Sequence, residues 1–343
     1  MIPSELLDAW NRAGLGAHGL PCGDGSLVGV RRGARAVPFD ERGRPLLWLA
    51  PEVMAAPRLA DWVASGAWNF GAERLWLCPE IRFMVHDRAD FDGSYVLPAA
   101  MDPGDWSVET GDHSLLFRQR LTLQARHPTG QVDLAVEQRI RPLADPLRRQ
   151  PPEAGLRHLG WTREVRLTRE AADSGTVACQ AWALIQVEAG GSVAIPGAAR
   201  ARLTDYFEPI DDDHISRKGG ALRLELSGRK RFKVGIRTGE HRGQLAWQLR
   251  RDGGEDLLIV RRFLDLPGSR YLEQPPDAPD HEGDSAFVYN DDGRHGKFGE
   301  LEALGRALEV GDQAATDLFE LHCWWGPAAA VSRLHERSFG DLS

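Results

Sequence analysis

Leu121 and Leu123 alternate with Arg120 and Thr122, and Leu222, Leu224 and Leu226 alternate with Arg223 and Glu225. A period of two divides the side chains between the two faces of an extended strand, so each run carries one apolar and one polar face. Such runs follow one another along the chain: SLVGVRR, RLWLCPEIRFMVH, SLLFRQRLTLQAR, QVDLAVEQRIRPL, TREVRLTRE, TVACQAWALIQVEA, KRFKVGIRT and DLLIVRRFLD are examples. They predict antiparallel sheets with one buried face. Helical periodicity is confined to a segment that Ser4 can cap, running through Leu6, Leu7 and Trp10, and to PRLADWVASG at 57–66. These are too short to build the helical layers of a parallel α/β fold. Clusters of Gly, Pro and Asp at 102–105, 145–155 and 274–284 mark long connections, and the proline-rich LEQPPDAPDHEGD is expected to be a mobile loop. No composition break divides the rest, so the expectation is a helical extension over 1–20 and one large domain over 21–343.

With 343 residues, 42% hydrophobic and 27% charged, the chain can bury a sizeable core. A formal net charge of -8 argues against nucleic acid, which needs a concentrated basic surface to displace counterions. The densest basic run, RKRFK at 229–233, reads as a solvated strand or hairpin. Cys22, Cys78, Cys179 and Cys323 are widely spaced, which supports neither a zinc ribbon nor a disulfide scaffold. Glu5 and Asp8 interrupt the first twenty residues, and no segment approaches a membrane span of roughly eighteen apolar residues. A cytoplasmic protein without membrane contact is expected. Asp211, Asp212, Asp213 and His214 offer metal ligands, but neighbours on an extended chain point in opposite directions, so a solvated turn and no metal site are expected.

Two segments carry candidate chemistry. In DSAFVYNDDGRHGKFGELEALGRALEVGDQAATDLFELHCWWG, 284–326, Glu300 and Glu302 lie two apart on one strand face. Beyond a Gly311-Asp312 turn, the second strand of the expected hairpin places Glu320, His322 and Trp324 on one face. Asn290 precedes an Asp291-Asp292-Gly293 turn that would hold it at a pocket rim. In WNFGAERLWLCPEIRF, 68–83, Arg74 and Trp76 share a parity: one supplies a fixed fork of donors, the other a flat apolar surface for the C–H face of a sugar. Lys233, in a lysine-poor chain, either anchors a ligand or points outward. The pattern fits a carbohydrate site; it also fits an ordinary hairpin with one wet face and a core tryptophan. Hydrolase, zincin and nucleotide-binding motifs are missing.

The order of WNFGAERLWLCPE, AWALIQVEAGGSVAIP, KRFKVGI and FVYNDDGRHGKFGELEALGRALEVGD resembles the aldose-1-epimerase-like, or galactose mutarotase-like, superfamily. The resemblance runs from about Leu27 to Trp325, and it is closest to uncharacterised bacterial members with a W-x-G-G-x-R-L-W-x-x-P-E segment. It implies a mainly β fold, an antiparallel β-supersandwich of two large sheets, with a sugar pocket on the concave face and no cofactor. It implies Glu302 as general base toward the anomeric hydroxyl, with Glu300 beside it; two carboxylates this close would raise one pKa if the pocket is dry. Where the family carries a catalytic histidine, the 181–187 run has Gln186, and glutamine cannot donate a proton as a general acid. His322 is therefore the expected acid, with His86, His281 and His295 as further candidates. Glu80-Ile81-Arg82 loosely echoes the family's asparagine-arginine substrate pair. The expected ligand set is Arg74, Trp76, Glu80, Arg82, Gln186, Lys233, Asn290 and Trp324, around a small-molecule carbohydrate. The activity implied is anomer interconversion of a sugar or sugar acid; the alternative is a non-catalytic carbohydrate-binding protein. A glycosidase or polysaccharide lyase fits less well, since hydrolases place their carboxylates on opposite sides of the scissile bond.

Overall fold

The computed structural model describes residues 4–148, 154–170 and 175–339. Among them are two sheets of antiparallel strands. The first, in spatial order, is β1 (Ala17–Cys22), β2 (Gly25–Val30), β3 (Arg35–Phe39), β4 (Glu73–Cys78), β9 (Cys179–Glu188), β18 (Phe298–Leu308), β17 (Ala286–Asn290), β14 (Phe232–Ile236) and β11 (Leu203–Asp205). The second runs β12 (Ile215–Lys218), β13 (Ala221–Leu226), β10 (Gly191–Pro196), β15 (Gln244–Arg250), β16 (Glu255–Phe263), β19 (Ala314–Pro327), β8 (Arg157–Arg169), β7 (Thr129–Pro142), β6 (Ser114–Arg126) and β5 (Ser107–Gly111). They pack face to face around one extended apolar core, as the alternating pattern predicts.

The two sheets use that alternation differently. Strands β6 and β7 bury one face and leave the other in water. Strands β4, β9 and β17 are buried on both faces, so polar residues on their outer side lie under protein instead of solvent. A polar side chain in such a position needs a partner or a function. That outer side is where the candidate site lies.

The helices are α1 (Ser4–Arg12), α2 (Pro51–Met54), α3 (Ala56–Ala64), α4 (Glu80–Phe83) and α5 (Ala328–Phe339). The short N-terminal helix and the helix near 57–66 were both legible; α5 was not. Helix α1 is no loose extension: Trp10 is fully buried, donates to the Val53 carbonyl at 2.7 Å and meets Phe70 edge-on at 5.3 Å. The expected boundary at residue 20 falls inside β1, whose residues pair in register with β2. None of the described helices is long and apolar enough to cross a membrane.

The terminal hairpin is also not a hairpin. Strand β18 belongs to the first sheet and β19 to the second, and the turn between them carries the chain from one layer to the other. A tight turn between two alternating runs gives the same sequence signal whether the strands pair or pass to opposite sheets. The four cysteines are buried free thiols.

Between the layers, Glu73 of β4 faces away from the candidate site. Its carboxylate receives the Trp161 indole N–H at 2.7 Å and pairs with Arg163 at 3.0 Å and Arg261 at 2.9 Å, both on the opposite sheet. Burial works against the Glu73 charge, but the two guanidinium groups outweigh it and hold the carboxyl below its ordinary range.

Candidate functional site

Strand register assembles the floor of the site. Gln186 of β9 stands opposite Glu300 of β18, Glu300 opposite Tyr289 of β17, and Tyr289 opposite Lys233 of β14, so four strands present one row of side chains. The next row aligns Arg74 with Leu184, Glu302 and Phe287, and Trp76 stands opposite Trp182. A shift of one residue in any strand would move its contribution into the inter-sheet core.

Above these rows is a cavity of 610 Å³, a size suited to small molecules. Its walls include Trp68, Trp76, Trp182, Tyr95 and Phe207, and its floor carries Arg74, Glu80, Lys233, Glu300 and Glu302. The Lys233 ammonium lies 3.0 Å from Glu80 and 3.4 Å from Glu302, over the Trp182 ring at 4.4 Å. The Trp182 indole donates to Glu302 at 2.9 Å. Arg74 donates to Glu300 at 2.8 Å, and Gln186 donates to the same Glu300 oxygen at 2.9 Å. The Arg74 guanidinium stacks over Trp76 at 4.2 Å, with its Nε and Nη1 donors unmatched by any acceptor among the described residues. Trp76 is itself held by Asp102, at 2.9 Å, which pairs with Arg35 at 2.6 Å.

The electrostatics of the floor follow from carboxylate crowding. Glu273, from the loop expected to be mobile, is buried behind Glu80 and accepts its backbone N–H at 2.8 Å. Burial pushes Glu273 up to about 8, against the pull of Lys233 and with the repulsion of Glu80. Burial likewise raises Glu302 to about 7, opposed by Lys233 and reinforced by Glu300 and Glu80. For Lys233, burial disfavours the charge, but Glu302, Glu80 and Glu273 together hold it protonated, above its ordinary value. One ammonium among three carboxyls thus keeps a carboxyl proton available near neutrality.

Of the residues anticipated from sequence, Arg74, Trp76, Glu80, Lys233, Glu300 and Glu302 line this cavity, and so does His295 at its rim. Gln186 lies just beneath, bonded to Glu300. The others lie elsewhere. His322 is on β19, in the second sheet, with its ring bonded to His158 at 3.1 Å and stacked on Trp324 at 5.2 Å. Trp324 packs with Val331 and Leu334 of α5. His322 therefore cannot serve the cavity as its acid, nor Trp324 as its stacking surface, because the presumed hairpin partner strand is in the other layer. Arg82 turns away on α4 and binds the carbonyls of His127, at 3.4 Å, and Ala178. Asn290 is buried and ties the 228–230 turn, accepting from Gly228 at 3.0 Å and donating to Lys230 at 2.6 Å. Neither His86 nor His281 lines the cavity.

Only the start of the RKRFK run, at Arg229, is solvated. Lys233 reaches the floor, and Arg231 lines the wall, paired through both terminal nitrogens with Asp92 at 2.6 and 2.7 Å. Sequence reasoning missed Trp182, Glu273, Asp92 and Arg231 as site residues. Trp182 carried a usable signal, since it shares the parity of Gln186 within AWALIQV. Glu273 and Asp92 carried none, because they come from loops.

The two antiparallel sheets packed face to face define the class: this is a galactose mutarotase-like β-supersandwich. A candidate aldose 1-epimerase of Escherichia coli K12 superposes with a TM-score of 0.52 at 13% identity, over 90% of this chain and 98% of that one. A candidate aldose 1-epimerase of Klebsiella pneumoniae gives a TM-score of 0.48 at 11% identity, over 93% of this chain and 81% of that one. No curated protein matches the chain in sequence. The chain belongs to DUF6786, a family of unknown function, whose model matches residues 40–323.

Proposed function

We propose that the cavity binds a neutral sugar and interconverts its anomers, with Glu302 as the base. The observation that carries this reading is the Glu302–Lys233 contact, at 3.4 Å, on the floor of a tryptophan-walled cavity. Glu302 takes the proton of the anomeric hydroxyl while the bond from the anomeric carbon to the ring oxygen breaks. The Lys233 ammonium, held charged by Glu80 on its other side, hydrogen-bonds the ring oxygen as that oxygen gains negative charge, and passes its proton to the alkoxide once formed, the stronger base. Rotation of the open-chain aldehyde and the reverse transfers give the other anomer and restore both groups. No cofactor enters this scheme. The fold shared with a candidate aldose 1-epimerase supports the assignment.

Charge pairing favours a neutral ligand over an anionic one. Arg74 faces Glu300, Lys233 faces Glu80 and Glu302, and both Arg231 and Arg294 face Asp92. The two unmatched Arg74 donors suit hydroxyl oxygens. Anomer exchange, followed by NMR over a panel of aldoses, tests the proposal. The rate should rise with pH through about 7, as Glu302 ionises, and fall by about 10²-fold or more in Glu302→Gln, the scale of a lost general base. Full activity in Glu302→Gln would remove Glu302 from the role; saturable binding without exchange would make the protein a carbohydrate-binding protein instead.

A further inference from the structure

A second cavity, of 860 Å³, adjoins the first and shares Trp68 and His295 with it. It lies against α3 and is lined by Trp48, Trp62, Arg58, Asp61 and Asn69 as well. Three tryptophans, two of them half-buried, line this one surface. The polar groups between them are of mixed sign, which suits a neutral hydroxylated ligand better than an ion.

The partition between the cavities is built into the floor of the first. The Asn69 side chain donates to the His295 carbonyl at 2.7 Å and accepts from Gln186 at 3.0 Å, while Gln186 also donates to Glu300 at 2.9 Å. Trp68 packs against Trp76 at 5.7 Å on the side of the first cavity and lines the second as well. On the far wall, Trp48 rests on Phe298 at 4.8 Å and closes over Gly296, where a Cβ would lie 2.5 Å from the ring. The partition and both walls are therefore fixed relative to Glu300.

We infer that the second cavity holds the next sugar unit of a saccharide whose reducing end occupies the first. The substrate class is then an oligosaccharide with a free reducing end, an inference that rests on the anomer-exchange reading of the first cavity. The reacting carbon stays at Glu302, and the glycosidic bond crosses the partition beside Trp68. Trp62 and Trp48 offer apolar faces to the second ring, and Asp61 and Asn69 offer hydrogen bonds to its hydroxyls.

Calorimetry and anomer exchange with glucose and galactose, set against maltose, cellobiose and lactose, test this on the full chain. At least one disaccharide should bind about tenfold tighter than its reducing monosaccharide, equivalent to about 1.4 kcal/mol. In Trp62→Ala that ratio should fall toward one. Asp61→Ala alters an exposed residue and should lower the ratio without risk to the fold. Equal affinity for monosaccharides and disaccharides, or a ratio intact in both variants, would overturn the second subsite while leaving the first. Binding of neither kind would overturn the reading of the first cavity, and this extension with it.

Discussion

Glu302 is fully buried beside the one ammonium of the floor, and its titration distinguishes it from an ordinary strand glutamate. An unpaired glutamate ionises near 4.5 and this one near 7, so between those values the folded protein holds a proton that the unfolded chain has released. Glu302 therefore costs stability at high pH, and the cost fades as pH falls from 7 to 4.5. Relative to wild type, Glu302→Gln should melt higher at pH 8 and show no such gain near pH 4.5, with the Trp182 indole still provided with an acceptor. Thermal melts at the two pH values check this, and an equal difference at both would refute it. Much of the cavity lining was legible, because Arg74, Trp76, Glu300, Glu302 and Lys233 each occupy an alternating position within a strand. Glu273 was not, since a loop residue has no periodicity to reveal its direction.

At the scale of elements, β19 shows how a correct strand can carry a wrong expectation. His322 and Trp324 do share a face, but that face lies beneath α5, where Val331 and Leu334 complete a small apolar cluster. Burial pushes His322 down to about 3 and His158 down to about 4, each from an ordinary value of 6.5. The unfolded chain takes up protons below 6.5 that the folded pair refuses, so this contact is most favourable above 6.5 and loses stability as pH falls. His322→Leu should flatten the decline in melting temperature between about pH 6.5 and 5, although it lowers the melting temperature at pH 7 by leaving His158 without its partner. A variant as acid-sensitive as wild type would show that the pair does not titrate with unfolding. The 181–187 run makes the complementary point: its strand character was clear, while the burial of both faces depends on the loops that cover β9.

For the whole molecule, the two sheets are joined by packing, and among the described residues a buried ionic tie runs between them. Glu73 reaches from the first sheet to Arg163 and Arg261 on the second, all three within 1% exposure. Removing the acid leaves two guanidinium groups buried with their countercharge gone, so Glu73→Gln should cost about 3–5 kcal/mol. Urea unfolding would measure the loss; a cost below about 1 kcal/mol, the scale of an exposed pair, would contradict the role. Sequence alone determined the strand content, the antiparallel class and most of the side chains on the floor, because a period of two is a local property that each run carries by itself. Tertiary structure decided which sheet each strand joined, and with it that His322 and Trp324 lie in the opposite layer from Glu302. It also decided that Arg231 and Lys233 face the cavity and that Glu273 stands behind Glu80. These are consequences of strand order and loop placement, and both are set by contacts between residues far apart in the chain that no local pattern encodes.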